Sequence, residues 1–306
     1  MSFTLPTVGF IQFNNAVLTL SGENTARWCN GMFSNNFRAM KELDAHSSAI
    51  CDDRGRIQGF IDCIKVDADN FIGILVGSTL EWFTKRFQMY MILDDIEMEA
   101  CNDTVLHLFG DKSADLLHTL GLPAPELGKA TQVGSIWVRA NERLRGVIGF
   151  DILSVQEESP ELEALHRQLS TLQSETTQKD WEQFRISTGT AKFPEDFSDK
   201  SFIHEYDLQD RVCSFNKGCY VGQEIINRMD IKQLATKRLL RIALDGEGWT
   251  LGDELSLLED GQEKKMGTIT SLHSTAEGMI GLALLRKDAW SSETHLQGVH
   301  GTATVL

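Results

Sequence analysis

The chain has no CxxC pair, no long basic stripe and no apolar run near membrane length. Its six cysteines (Cys29, Cys51, Cys63, Cys101, Cys213 and Cys219) stand apart, and no histidine lies at zinc-finger spacing from them. That excludes the common structural zinc sites and predicts reduced thiols in the cytoplasm. Lys plus Arg number 29 against 44 Asp plus Glu, a formal charge of −15. A general nucleic-acid surface needs a basic stripe to neutralise phosphates. The nearest approach is Lys237-Arg238 with Arg241. Direct nucleic-acid binding is therefore not expected, and a local pocket for a small anion stays open. The runs "FIGILVG" and "MIGLALL" are far shorter than the roughly 20 residues that span a bilayer. The stretch "MSFTLPTVGF" has no basic region followed by a long apolar one, so neither a secretory signal nor a membrane partner is expected.

What is there has the texture of a globular α+β protein. A length of 306 residues predicts two or three domains. Phe10–Leu20 alternates and predicts one strand; a short helix follows from near Asn24. "SSAICDDRGRIQGFIDCIKVDADNFIGILVGS" predicts three strands joined by turns at Asp52–Gly55 and Asp69-Asn70. Ser78 with Glu81 predicts a capping box for a helix burying Leu80, Phe83, Phe87, Tyr90 and Met91. The pattern recurs: a strand over Thr104–Phe109, a helix over Lys112–Leu120 and a strand pair over Ile136–Ala140 and Gly146–Val155. Ser159-Pro160 then opens a helix with a Leu162, Leu165, Leu169, Leu172 stripe. Asp180 with Gln183 predicts the cap of "WEQFRISTG", and "RVCSF" reads as a strand. From Lys237 onward, short strands separated by Gly246, Gly261 and Gly278 predict a small all-β unit. The expected architecture is α+β: a core of two antiparallel-sheet lobes over 1–236, the second inserted at roughly 100–158, then a C-terminal β-barrel over 237–306.

The chemistry concentrates in "SFNKGCYVGQE", Ser214–Glu224. "QEIINRM" after Gly222 has helical spacing, which puts Cys219 in a glycine-flanked loop before a helix. A helix start and the nearby Lys217 would both favour a thiolate. A small buried cysteine in a tight turn accounts for the same residues equally well. Trp181 is either the aromatic wall of a ligand site or a core residue beside Phe184. Arg185, one turn later, is within reach of a ligand carboxylate or of acids in its own lobe. Asp52-Asp53 reads as a solvated hairpin turn rather than a metal or anion site. Asp94-Asp95 with Glu97 and Glu99 reads as a solvated face. His107, His118 and His166 sit singly, and no metal site is assigned. Cys213 reads as packed rather than as a resolving thiol.

"NKGCYVGQE" resembles the K-G-C-Y-x-G-Q-E signature of the YgfZ family, folate-binding proteins related to the aminomethyltransferase (T-protein) of the glycine cleavage system. The resemblance extends along the chain through "LTLSGENTARWCNGMFSNNF", "CDDRGRI", "KMGTITS" and "GLALLR". Asn36, Met32 and His204 depart from the family pattern, which has Asp, Gln and Pro there. The resemblance implies a tetrahydrofolate-binding, aminomethyltransferase-like core. It implies a role supporting iron–sulfur enzymes, including those that thiolate tRNA, through a reactive Cys219 assisted by Lys217. It implies folate contacts for Trp181, Arg185, Tyr220, Gln223 and Glu224. The partners it implies are folate and iron–sulfur client proteins, for a cytoplasmic monomer without a metal of its own. The alternative is a folate-dependent one-carbon transferase. Against it, Gly59 and Phe60 occupy the positions where the transferase has an acidic pair, and Asp62 is displaced by two or three residues. In a strand an odd shift reverses the face, and an even one moves the group by roughly 6–7 Å.

Overall fold

The computed structural model describes residues 5–259 and 262–306. Its strands are β1 Gly9–Asn14, β2 Val17–Ser21, β3 Ala45–Cys51, β4 Ile57–Lys65, β5 Asn70–Val76, β6 Glu97–Ala100, β7 Thr104–Phe109, β8 Ala130–Val133, β9 Ile136–Leu144, β10 Val147–Ser154, β11 Lys237–Gly246, β12 Glu254–Glu259, β13 Gln262–Thr275, β14 Gly278–Arg286, β15 His295–Gly298 and β16 Gly301–Val305. The helices are α1 Thr25–Met32, α2 Leu80–Asp94, α3 Ser113–Thr119, α4 Pro160–Leu172, α5 Gln178–Ser187, α6 Gln209–Val212 and α7 Gln223–Lys232. Two five-stranded antiparallel sheets, ordered β3-β4-β5-β2-β6 and β1-β7-β10-β9-β8, precede a closed six-stranded barrel. The fold is thus the α+β architecture expected. The turn expected at Gly261 lies outside the described residues. Among the described residues no helix is long and apolar enough to cross a membrane.

The apolar run "FIGILV" is continuous because β5 is covered on both faces. Phe71 and Leu75 pack with Phe83, Phe87 and Trp28 of the flanking helices. Ile72 and Ile74 pack on Val105, Trp137 and Leu153 of the second sheet. Alternation therefore hides when each face meets a different apolar layer. The second sheet buries Leu106, Leu108, Val138 and Ile152 on its outer face, against Leu117 of α3 and Leu162 and Leu169 of α4. In the barrel, Ala283 and Leu285 point inward with Ile242 and Leu255. Ile280 and Leu282 point outward onto Tyr206, Val212 and Tyr220.

Several local expectations change. Phe10–Leu20 is two strands in two sheets: β1 pairs with β7, and β2 pairs with β5 and β6. The chain crosses at Asn15-Ala16, where Asn15 Nδ2 donates to the Leu75 carbonyl at 3.0 Å. The N-cap of α2 is Thr79, whose hydroxyl accepts from Trp82 N, rather than Ser78. The N-cap of α5 is Thr177, which accepts from the N–H of Asp180, so Asp180 lies in the first turn instead of capping it. "RVCSF" is not a strand; α6 ends at Val212, whose carbonyl accepts from Ser34 Oγ at 2.6 Å. Tyr90 and Leu172 are each 50 % exposed and fall off their expected buried stripes.

Candidate functional site

β4 projects Phe60 and Asp62 from one face, two residues apart, toward the second sheet. They border a cavity of about 450 Å³, closed by α5, by the 189–197 segment and by residues 206–212. The shift from Phe60 to Asp62 is the even one, so the acid keeps its face and reaches the cavity wall. Its carboxylate is occupied: Arg139 Nη2 donates to Asp62 Oδ2 at 2.6 Å, with both residues buried.

That pair opens a charged network between the sheets. Arg139 Nε donates to Asp151 Oδ2 at 3.0 Å. Arg143 grips Asp151 with Nε at 2.7 Å and Nη2 at 3.0 Å. His107 Nδ1 lies 2.8 Å from Asp151 Oδ1. Burial works against the Asp151 carboxylate, yet Arg143 and Arg139 hold it well below the ordinary range. Burial lowers the His107 pKa despite its carboxylate partner, so the ring is neutral near pH 7. Burial also opposes the Arg139 charge, and Asp62 and Asp151 outweigh it. Of these residues the sequence marks only Asp62, as the acid displaced from the expected pair, and His107, as a lone histidine. The available signal was a charged or imidazole side chain inside an otherwise apolar strand, as in "FIDCI", "VLHLF", "IWVRA" and "GFDIL".

Trp181 lines the cavity and belongs to the core as well. It is 6 % exposed and makes edge-on contacts with Phe13, Phe109 and His107, at centroid distances of 5.2, 5.3 and 5.7 Å. Arg143 stacks over the Phe13 ring at 4.7 Å. Arg185 also borders the cavity, and its guanidinium is fully engaged. Nε donates to Glu182 at 2.7 Å, Nη1 to Asp196 at 2.9 Å and to the Thr190 carbonyl at 3.4 Å, and Nη2 to Ser271 at 2.8 Å. Nη2 also lies 2.6 Å from Glu182 Oε2. Of the two readings of Arg185, the geometry fits a clasp between α5 and the barrel strand β13. Three further arginines line the cavity without any local mark in the sequence: Arg143, Arg145 and Arg211, the last within "RVCSF".

The cysteine loop is elsewhere. Tyr220, Gln223, Glu224, Lys217 and Cys219 do not line the cavity. The loop lies along α1, with Val221 N donating to the Gly31 carbonyl at 3.1 Å. Gly222 takes φ +84°, and a Cβ there would come within 2.6 Å of the Asp52 carbonyl oxygen, so glycine is required for the close approach. The Asp52–Gly55 hairpin it touches is internally capped, since Asp52 Oδ1 accepts from Arg54 N and Arg56 N. Tyr220 is buried and Glu224 exposed; Gln223 Nε2 reaches the Gly218 carbonyl at 3.5 Å.

Cys219 is exposed, so it is not a core cysteine. Lys217 does not serve it in the manner expected. Its ammonium donates to the carbonyls of Phe33 at 2.6 Å and Asn35 at 2.5 Å and sits 4.5 Å over the Tyr220 ring. Burial pushes it down to about 7, and the thiols in its electrostatic reach are Cys213 and Cys29. Cys219 also precedes the first residue of α7 by four positions, beyond the first-turn range of a helix dipole. Lys217 is thus a clamp on the loop. Cys213 is packed, as expected, and burial pushes its thiol up to about 12. Among the described residues no group of three or more His, Cys, Asp or Glu is placed to hold a metal.

No protein-family model matches the sequence. The structure is similar to the crystal structure of glycine cleavage system aminomethyltransferase T from Bartonella henselae. The TM-score is 0.83 at 13 % identity, over 98 % of this chain and 85 % of that one. Two antiparallel sheets, a cavity between them and a closed barrel thus share the fold of a glycine cleavage aminomethyltransferase.

Proposed function

We propose that the chain binds a reduced folate, tetrahydrofolate, in the cavity, and that it supports iron–sulfur enzymes, including tRNA-thiolating ones, as in the YgfZ family it resembles. The observation that carries the reading is the cavity itself. About 450 Å³ falls within the roughly 300–1,000 Å³ of small-molecule sites. Its walls combine Phe13, Phe60 and Trp181 with Arg143, Arg145, Arg185 and Arg211. An aromatic heterocycle with an acidic tail suits that mixture, with Trp181 offering its edge to the ring. In this reading Arg185 holds the wall in shape rather than touching ligand. Tyr220, Gln223 and Glu224 act through the Cys219 loop and not through folate.

Cys219 then works on partner proteins. An exposed thiol can meet a client surface, which the buried Cys29, Cys51, Cys63 and Cys213 cannot. One cysteine cannot store a cluster that needs about four ligands. The thiol therefore assists transfer or repair. The protein acts as a cytoplasmic monomer and contacts client proteins rather than nucleic acid.

One-carbon transfer is the second reading, favoured by Asp62 at the cavity wall. It requires an acid free to handle a substrate amine, and Arg139 occupies this one at 2.6 Å. Titrating tetrahydrofolate against tryptophan fluorescence tests the main reading. Saturable quenching is expected in the wild type and not in Trp181→Phe; quenching that survives the substitution, or none in the intact protein, overturns it. Formation of methylenetetrahydrofolate from an aminomethyl carrier would favour the second reading instead.

A further inference from the structure

The cations and carboxylates that line the cavity are equal in number, yet one cation is left without an ion-pair partner among the described residues. Arg139 and Arg143 are paired with Asp62 and Asp151. Arg145 lies 3.7 Å from Asp207 and donates to the Tyr206 carbonyl at 2.8 Å. Lys192 is held by Glu182 and Glu195, and Arg185 by Asp196 and Glu182. Arg211 alone among these has no carboxylate oxygen within 4 Å among the described residues. Its one acceptor among the described residues is the Glu142 carbonyl, 2.7 Å from Nη1. Glu142 and Asp210 also border the cavity, but neither pairs with it. The guanidinium is thus fixed at one corner and its remaining N–H groups are open. A planar fork of this kind matches a carboxylate.

We propose that Arg211 is the carboxylate-binding residue of the cavity, pairing the glutamyl end of a folate-type ligand whose ring system lies against Trp181 and Phe13. The inference rests on the folate reading and adds the ligand's orientation and its anchoring charge. Arg211 is an exposed side chain that borders the cavity, and nothing in the local sequence sets it apart; its role comes from the neighbours that already have partners.

The test compares 5-formyltetrahydrofolate with its dimethyl ester by calorimetry on the full chain. The ester keeps the ring system and removes both negative charges. Wild type is expected to bind the acid about 10- to 100-fold more tightly than the ester, the range of a hydrogen bond to a charged group. Arg211→Gln should bind the acid as weakly as the ester and leave ester binding unchanged; Arg211→Lys should retain part of the preference. Arg185→Met should weaken both forms alike, because it loosens the wall without meeting the charge. A thermal melt confirms that each variant is folded. An Arg211→Gln protein that keeps the wild-type preference overturns the inference while the folate reading stands. A wild type that binds neither form removes the folate reading and this inference with it.

Discussion

Replacing Arg139 by methionine removes a buried side chain that ties the two sheets together by charge. Arg139 is 2 % exposed and meets Asp62 from β4 at 2.6 Å and Asp151 from β10 at 3.0 Å. The two carboxylates are not left in the same position. Asp151 keeps both bonds from Arg143 and its His107 contact. Asp62 has no other ion-pair partner among the described residues and is 4 % exposed. The loss therefore falls on one stranded carboxylate, and breaking a buried pair from one side costs about 3–5 kcal/mol. Urea denaturation followed by far-UV circular dichroism reads that loss at pH 7.5. The double variant Arg139→Met/Asp62→Asn should recover at least about 2 kcal/mol, since no charge is then stranded. A deficit below about 1 kcal/mol would refute the network as described.

Other perturbations follow from the loop and its clamp. Gly222→Ala forces a Cβ into the left-handed region and to 2.6 Å from the Asp52 carbonyl oxygen, and should destabilise by about 2 kcal/mol or more; a change within about 0.5 kcal/mol in urea would count against the close approach. Lys217 titrates near 7 when folded and near 10.4 when unfolded. The unfolded chain therefore binds more protons between those values, and wild-type stability should rise with pH across that window. Lys217→Met should flatten the rise, and equal slopes in the two proteins would sink the assignment. The same variant should leave the rate of Cys219 alkylation at neutral pH unchanged, because the ammonium serves the Phe33 and Asn35 carbonyls rather than the thiol; a slower rate in the variant would restore direct activation.

The parts of the fold that sequence revealed were those with local punctuation. The barrel strands are short and separated by glycines, Ser159-Pro160 marks the start of α4, and Gly222 marks the start of α7. The crossing at Asn15-Ala16 left no such mark. β1 and β2 alternate in step, and only pairing with β7 or β5 tells them apart. The candidate site divides the same way. Trp181 and Cys219 are rare residues in conspicuous settings, and both could be picked out. The Asp62–Arg139–Asp151 network joins residues separated by 77 and 12 positions, so its members look like isolated charges until the sheets face each other. Arg185 and Arg211 carry the same guanidinium. What separates a clasp from an open cavity cation is which carboxylates stand beside it, and folding decides that.

The most direct measurement is an experimental structure of the protein with saturating 5-formyltetrahydrofolate. The ring system should lie in the cavity against Trp181 and Phe13, with a carboxylate on Arg211 and Cys219 free at the surface. Ligand bound along the Cys219 loop, or an empty cavity under saturating ligand, would contradict the account.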